Sequence, residues 1–186
     1  MRRKIFMVWA CFMLIMGAAL PLERACADTL PVLVIGSDEY EPYNYVGADG
    51  TRQGVDVELA TEALRRMGYT AQFRQIVWEN KDDDLEDGTV DCLWGSFSMN
   101  GREDNYTWAG PYLYSRQVVV TRVDSGIASL ADLEDKRIAV QATGKAEGVL
   151  IQGSDPRIPE VDAVYCFSTM DEVYASLRKN YVDAIA

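Results

Sequence analysis

The sequence predicts an α/β fold built on parallel-type sheet. Three observations carry this: short continuous apolar runs suited to strands buried on both faces, amphipathic stretches between them, and glycine or capping residues where one gives way to the other. Pro31 to Gly36 (PVLVIG) is the first such strand, followed by a polar, aromatic loop from Ser37 to Gly54. From Asp56 to Met67, apolar residues recur at Val57, Ala60, Ala63, Leu64 and Met67, the spacing of one helix face, and Gly68 follows as the C-cap. Thr70 to Val77 and Val90 to Trp94 read as the second and third strands, with an acidic segment, Glu79 to Asp87, between them.

The second half repeats the theme. Gln117 to Thr121 reads as a strand, Ser129 to Leu133 as a short helix, and Arg137 to Gln141 (RIAVQ) as a strand followed by a helix opening near Gly144. A strand from Asp162 to Phe167 leads into a helix from Met170 to Tyr181. Thr169 and Glu172 form the capping box of that helix, and Met170, Val173 and Leu177 line its apolar face. A last strand, Val182 to Ala186, ends the chain.

Composition excludes several functions. The 186 residues hold 18 basic and 29 acidic side chains and no histidine, for a formal charge of −11. Nucleic-acid binding needs Lys and Arg to neutralise phosphates, so no nucleic-acid partner is expected. Without imidazole there is no Ser-His-Asp or Cys-His nucleophile pair and no His-based zinc site, and no cofactor is expected.

The N-terminus reads as an export signal. Arg2, Arg3 and Lys4 precede an apolar run from Ile5 to Leu20, and Ala25-Cys26-Ala27 supplies the small-x-small pattern for cleavage after Ala27. The other reading is an uncleaved membrane anchor; a lipoprotein signal fits poorly because Glu23 stands where an aliphatic residue belongs. Removing residues 1–27 takes away four basic residues and one acidic, leaving 159 residues with 14 basic and 28 acidic groups. The expected location is outside the cytoplasmic membrane, periplasmic or anchored. Cys92 and Cys166 remain, and both are expected as buried free thiols rather than a disulfide.

Parallel-type sheets bind ligands at the carboxyl ends of their strands, so the loops after strands one and three are the places to look. They are also the chemically richest: the first carries Asp38, Tyr40 and Tyr43, and the second, Gly95 to Tyr114, carries Ser96, Ser98, Arg102 and several aromatic rings.

Four stretches in these regions resemble the extracytoplasmic solute-binding proteins of amino-acid ABC transporters. They are Ser37 to Tyr43 (SDEYEPY), Gly54 to Ala60 (GVDVELA), Gly95 to Arg102 followed by Trp108 to Tyr112 (WAGPY), and Ile138 to Gln141 (IAVQ). The resemblance runs from Leu33 to the C-terminus. It implies a two-lobed, type II periplasmic-binding-protein-like fold with lobe one over 28–117, lobe two over 118–186, and a crossover near Tyr114 to Val120. It implies no bond chemistry, a small zwitterionic ligand, and a membrane ABC permease or a fused signalling module as partner.

The matched residues suit that ligand. An amino acid presents a carboxylate and an ammonium, so its site needs a fixed cation, oriented donors and an anion. Arg102 matches the carboxylate-binding arginine, whose planar fork makes two parallel hydrogen bonds. Backbone N–H groups at Gly144 and Lys145, opening a helix, would complete that cradle. Gly95, Ser96 and Ser98 match the segment offered to the ligand amine, and Tyr40 and Trp78 match the rings that sandwich its side chain. The acidic first loop, Asp38, Glu39 and Glu41, hints at a cationic or polar ligand, or is simply solvated. Read without the resemblance, Arg102 is a turn residue, Tyr40 and Trp78 are core aromatics, and the serines satisfy loop backbone.

Several positions depart from the pattern. Val55 is smaller than usual. Lys81 and Asp82 replace apolar residues on the short helix after Trp78 and are expected to weaken its packing. Lys145 stands where a hydroxyl is common, and either supplies a direct charge or points outward. The amine-binding aspartate would follow Val182 to Ala186, so the chain is expected to be a fragment with an incomplete second lobe that by itself folds poorly or binds weakly. The acidic run Asp82 to Gly88 is not a calcium loop, because Leu85 falls where a ligand oxygen is required; it reads as a solvated helix face. Gly144-Lys145-Ala146 lacks the spacing of a phosphate loop, and Asn105-Tyr106-Thr107 is a glycosylation sequon. Two other functions share this resemblance: the sensing domain of a membrane receptor, and a cyclohexadienyl dehydratase-like enzyme, for which no matched pocket carboxylate suits the acid role.

Overall fold

The computed structural model describes residues 29–186; the export signal expected over 1–27 lies outside the described residues. Two sheets organise them. In the first, β1 (Val32–Ser37) is flanked by β4 (Thr70–Gln75) and β5 (Cys92–Leu93), both parallel to it. Between β1 and β4 come a two-residue hairpin, β2 (Tyr45–Val46) with β3 (Arg52–Gln53), and helix α1 (Val55–Arg66). A single turn over Trp78–Asn80 and helix α2 (Lys81–Glu86) lead to β5.

The second sheet has the order β6-β9-β7-β8, from β6 (Val120–Thr121), β7 (Arg137–Gln141), β8 (Ala163–Phe167) and β9 (Ala184–Ile185). Its strands β7, β8 and β9 run parallel, with β6 antiparallel at the edge. Helix α3 (Lys145–Gln152) connects β7 to β8, and α4 (Met170–Arg178) connects β8 to β9, so both connections are strand–helix–strand crossovers.

Burial explains why these runs are strands. Ile138 and Val140 pack with Leu133, Ala146 and Ala184 on one face of β7, while Ala139 packs with Val173, Leu177, Val182 and Ile185 on the other. A strand covered on both faces has no polar alternate positions, which is why RIAVQ reads as continuous. In the first sheet Ile35 meets Ala60 and Leu64 of α1, and the opposite face packs on Ile76, Trp78 and Val90.

Several elements differ from expectation. The strand expected over Gln117–Thr121 is formed only at Val120 and Thr121, because its partner β9 offers two residues, Ile185 and Ala184. The last helix stops at Arg178 rather than Tyr181, where Asn180 takes a left-handed φ of 61° that breaks the helical ladder. The segment Ser129–Leu133 is a 3₁₀ turn with a Ser129–Asp132 capping box. Met67, capping α1, is 66% exposed, and the charged Asp56 is as fully buried as Ala60. Cys92 and Cys166 are both free, but Cys166 is exposed on β8, against the expectation that it is buried. The Thr169–Glu172 capping box forms as read, and Gly68 follows α1 with a φ of 82°. Among the described residues, no helix is long and apolar enough to cross a membrane.

Candidate functional site

The carboxyl ends of the two parallel sheets face one another, and side chains bridge them at four points. Just past β1, Asp38 Oδ2 accepts a hydrogen bond from Gln141 Nε2 at the end of β7, 2.8 Å away. Arg102, on the loop after β5, donates from Nη2 to the Thr143 carbonyl at 2.8 Å. Lys81 Nζ lies 3.3 Å from Thr143 Oγ1, and Ser168 at the end of β8 donates to Glu79 Oε2 at 2.8 Å. Gln141, Thr143 and Ser168 all follow parallel strands, as do Asp38 and Arg102, so the junction is the switch-point region such sheets use for ligands.

Charge is polarised along this junction. Asp38 stands beside Gln141, and burial pushes its carboxyl above the usual range, with the Gln141 hydrogen bond pulling back. Arg102 and Lys81 converge instead on Thr143. The guanidinium is held by the Ser98 carbonyl at 3.3 Å and lies 4.9 Å from the Phe97 ring centroid, a cation–π contact. Two of its five N–H donors are thereby committed.

A buried carboxylate anchors the loop that carries Arg102. Asp56 accepts from the Tyr112 hydroxyl at 2.9 Å and from Ser96 Oγ at 3.4 Å, and burial raises its pKa. Tyr112 is pushed up to about 12, by burial first and by Asp56 next. Its hydroxyl also accepts from Ser96 N, so Asp56 and Tyr112 fix Ser96, which holds a left-handed φ of 52°. Gly95 leaves no room for a side chain: a Cβ there would stand 2.7 Å from Ser37 Oγ. Buried Ser37 in turn accepts from Asn44 Nδ2, tying the first loop to the end of β1.

The remaining expected site residues are placed as follows. Ser98 contributes its carbonyl to Arg102. Tyr40 is half-buried and stacks on Tyr43, with ring centroids 5.6 Å apart, and Tyr174 of α4 approaches it from the second lobe. Trp78 is 6% exposed in the lobe-one core, its ring met edge-on by Phe97 at 5.0 Å and approached by Lys81. Tyr40 and Trp78 thus have separate ring partners. The Gly144 N–H that was expected to cradle a carboxylate is taken by the Gln141 carbonyl at 3.1 Å, and Thr143 N by Glu147 Oε2 at 2.7 Å. A Cβ on Gly144 would stand 2.8 Å from that Gln141 carbonyl, so the close turn is what the glycine permits. Lys145 points back across the junction, close to Gly101, and its charge helps hold the Glu103 carboxyl low, behind the larger effect of backbone N–H bonds.

Sequence reading missed Lys81, Asp56, Gln141 and Thr143. Lys81 was expected to weaken the packing of its helix; it is 4% exposed and reaches the second lobe. Gln141 and Thr143 were legible in principle, because both follow a parallel strand, the position that pointed to Asp38. Two concavities, of about 440 and 510 Å³, lie away from the junction, one lined by residues within 117–186 and the other by residues within 42–59. Among the described residues, no group of three acidic or cysteine side chains is placed to hold a metal.

Known proteins place the fold. The cystine-binding protein TcyA of Bacillus subtilis is 33% identical over 132 residues, covering 63% of this chain and 49% of its own length. Among solved structures, Tv2483 bound to L-arginine superposes with a TM-score of 0.76 at 29% identity, covering 83% of this chain and 63% of that one. A histidine-bound ABC substrate-binding protein of Streptococcus pneumoniae gives the same TM-score at 24% identity, covering 83% and 64%, and shares the fold. The chain spans about half the length of the curated relatives it matches. Those relatives bind solutes rather than transform them, and the fold is the type II periplasmic-binding-protein fold over partial length. The model of the bacterial extracellular solute-binding proteins, family 3, matches residues 32–186, and the chain belongs to that family.

Proposed function

We propose that this protein captures a free amino acid between its two lobes, outside the cytoplasmic membrane, and delivers it to an ABC permease without making or breaking a bond. The observation that carries this reading is the polarised junction. Arg102 stands at one end beside Thr143, and Asp38 at the other beside Gln141, with both ends built from strand termini of opposite lobes.

A zwitterion matches that polarity. Its carboxylate takes the remaining donors of Arg102, and its ammonium faces Asp38. Gly95, Ser96 and Ser98 present carbonyl and hydroxyl groups along the same wall, Tyr40 flanks the ligand's side chain, and Trp78 stiffens the wall from behind. Gly144 acts by shaping the turn that brings Thr143 to Arg102, and Lys145 by bridging towards Gly101 on lobe one. Closure follows because only the closed arrangement lets both lobes touch the ligand, and a ligand shifts the equilibrium by its differential affinity for the closed state. Family membership and the amino-acid-binding names of the relatives support the ligand class.

Isothermal titration of the full-length protein against a panel of L-amino acids, with glucose and prephenate as controls, tests this. The expected result is a dissociation constant of about micromolar or tighter for at least one amino acid and no heat from the controls. Absence of binding to every amino acid would overturn the reading.

A further inference from the structure

Lys81 has no local reason to be where it is. It is the first residue of α2, at the helix end where partial positive charge disfavours a cation. Its side chain is nonetheless 5% exposed, and a desolvated ammonium is costly unless an anion compensates it. The compensation present is thin. Thr143 Oγ1 at 3.3 Å is neutral, and Asp82 Oδ2 stands 3.5 Å away on a side chain that is 55% exposed and also receives the Tyr106 hydroxyl. The Trp78 ring centroid, 5.6 Å off, adds a cation–π contact. One of the three ammonium donors remains available beyond Thr143 and Asp82.

Arg102 reaches the same residue, Thr143, through its carbonyl. Two cations from different segments of lobe one therefore meet at one point of lobe two, while the carboxylate on the opposite side of the junction, Asp38, is engaged by Gln141. Glu147 of the second lobe stands at the same point, but its Oε2 accepts from the Thr143 backbone N–H at 2.7 Å and pairs with neither cation among the described residues.

We propose that Lys81 is a specificity-determining residue of the cleft and that, together with Arg102, it selects amino acids carrying a second carboxylate over those with a neutral or cationic side chain. This rests on the amino-acid-binding reading above. Arg102 holds the α-carboxylate, and Lys81 takes the side-chain carboxylate, replacing its weak contact with Thr143 by a charge-assisted bond.

The test is calorimetric titration of the full-length protein with L-glutamate, L-aspartate, L-alanine and L-arginine, for wild type, Lys81→Met and Lys81→Arg. Wild type is expected to bind an acidic amino acid at least about tenfold more tightly than L-alanine or L-arginine. Lys81→Met is expected to abolish that preference, the acidic amino acids losing at least about tenfold more affinity than L-alanine, with a urea melt reporting that the variant folds. Lys81→Arg keeps the preference. If wild type binds amino acids but shows no acidic preference, or if Lys81→Met weakens all four ligands equally, Lys81 is only a bridge between lobes and the proposal fails while the amino-acid reading stands. If no amino acid binds wild type, both fail.

Discussion

Replacing Arg102 by alanine removes the fixed cation of the proposed site while leaving the sheets untouched. In the structure the guanidinium donates to two carbonyls, Ser98 at 3.3 Å and Thr143 at 2.8 Å, and rests over Phe97. Three N–H donors remain for a ligand carboxylate, enough for a two-pronged charge-assisted pair. A hydrogen bond to a charged group contributes roughly 1.5–3 kcal/mol, so the loss in binding is expected to be about 2 kcal/mol or more, close to a thirtyfold rise in Kd. Arg102→Lys keeps the charge but not the fork and falls between the two. The assay is titration calorimetry at pH 7 with the tightest amino-acid ligand, alongside a urea melt to verify folding. The cross-lobe bond to Thr143 is also lost, so the closed arrangement weakens and the ligand's off-rate rises more than its on-rate falls. Unchanged affinity in a folded Arg102→Ala protein would remove Arg102 from the site and with it the zwitterion assignment.

Two further expectations concern the scaffold. Asp183 bonds Arg137 through Nε at 3.1 Å, Nη2 at 3.0 Å and the backbone N at 3.0 Å, and the side-chain bond to Arg137 is the main reason its carboxyl titrates below the ordinary 3.8. A lowered folded pKa means stability present above the unfolded value and lost as pH falls through the folded one. Asp183→Asn is therefore expected to cost about 1 kcal/mol at pH 7, with the gap to wild type closing below pH 3.8 in urea melts; a gap that widens in acid would contradict this. Gly95→Ala drives a methyl to 2.7 Å from buried Ser37 Oγ, and about 1–3 kcal/mol of destabilisation by chemical denaturation is expected; a neutral result would show that the β1 and β5 termini can separate.

The sheets were legible where burial is symmetric. Arg137 to Gln141 reads as a strand because both its faces are covered, and Thr169 with Glu172 announces α4 through purely local hydrogen bonding. What failed was set by partners distant in sequence. The length of β6 depends on β9, some sixty residues on, and the β2–β3 hairpin has only two residues in each strand, too few for a periodic signal. The burial of Asp56 depends on Tyr112 and Ser96, neither of which is near α1 in the chain, while Met67 satisfies the helical spacing yet finds no neighbouring element to cover it.

The site divides in the same way. Arg102 and Asp38, which lie at the junction, were legible as candidates because loops at strand ends and the family motifs point to them. Gly144 was named for its N–H, but the turn that requires a glycine spends that N–H on Gln141. Lys81 was misjudged because a charge in place of an apolar residue reads as weakened packing, whereas its ammonium stands 5.6 Å from the Trp78 ring centroid and reaches Thr143.

The most direct measurement is a crystal structure of the full-length protein grown with its tightest amino-acid ligand. The ligand is expected between the strand ends of the two lobes, its α-carboxylate on the Arg102 guanidinium and its ammonium on the side of Asp38. A ligand bound elsewhere, with Arg102 turned to bulk water, would contradict the account.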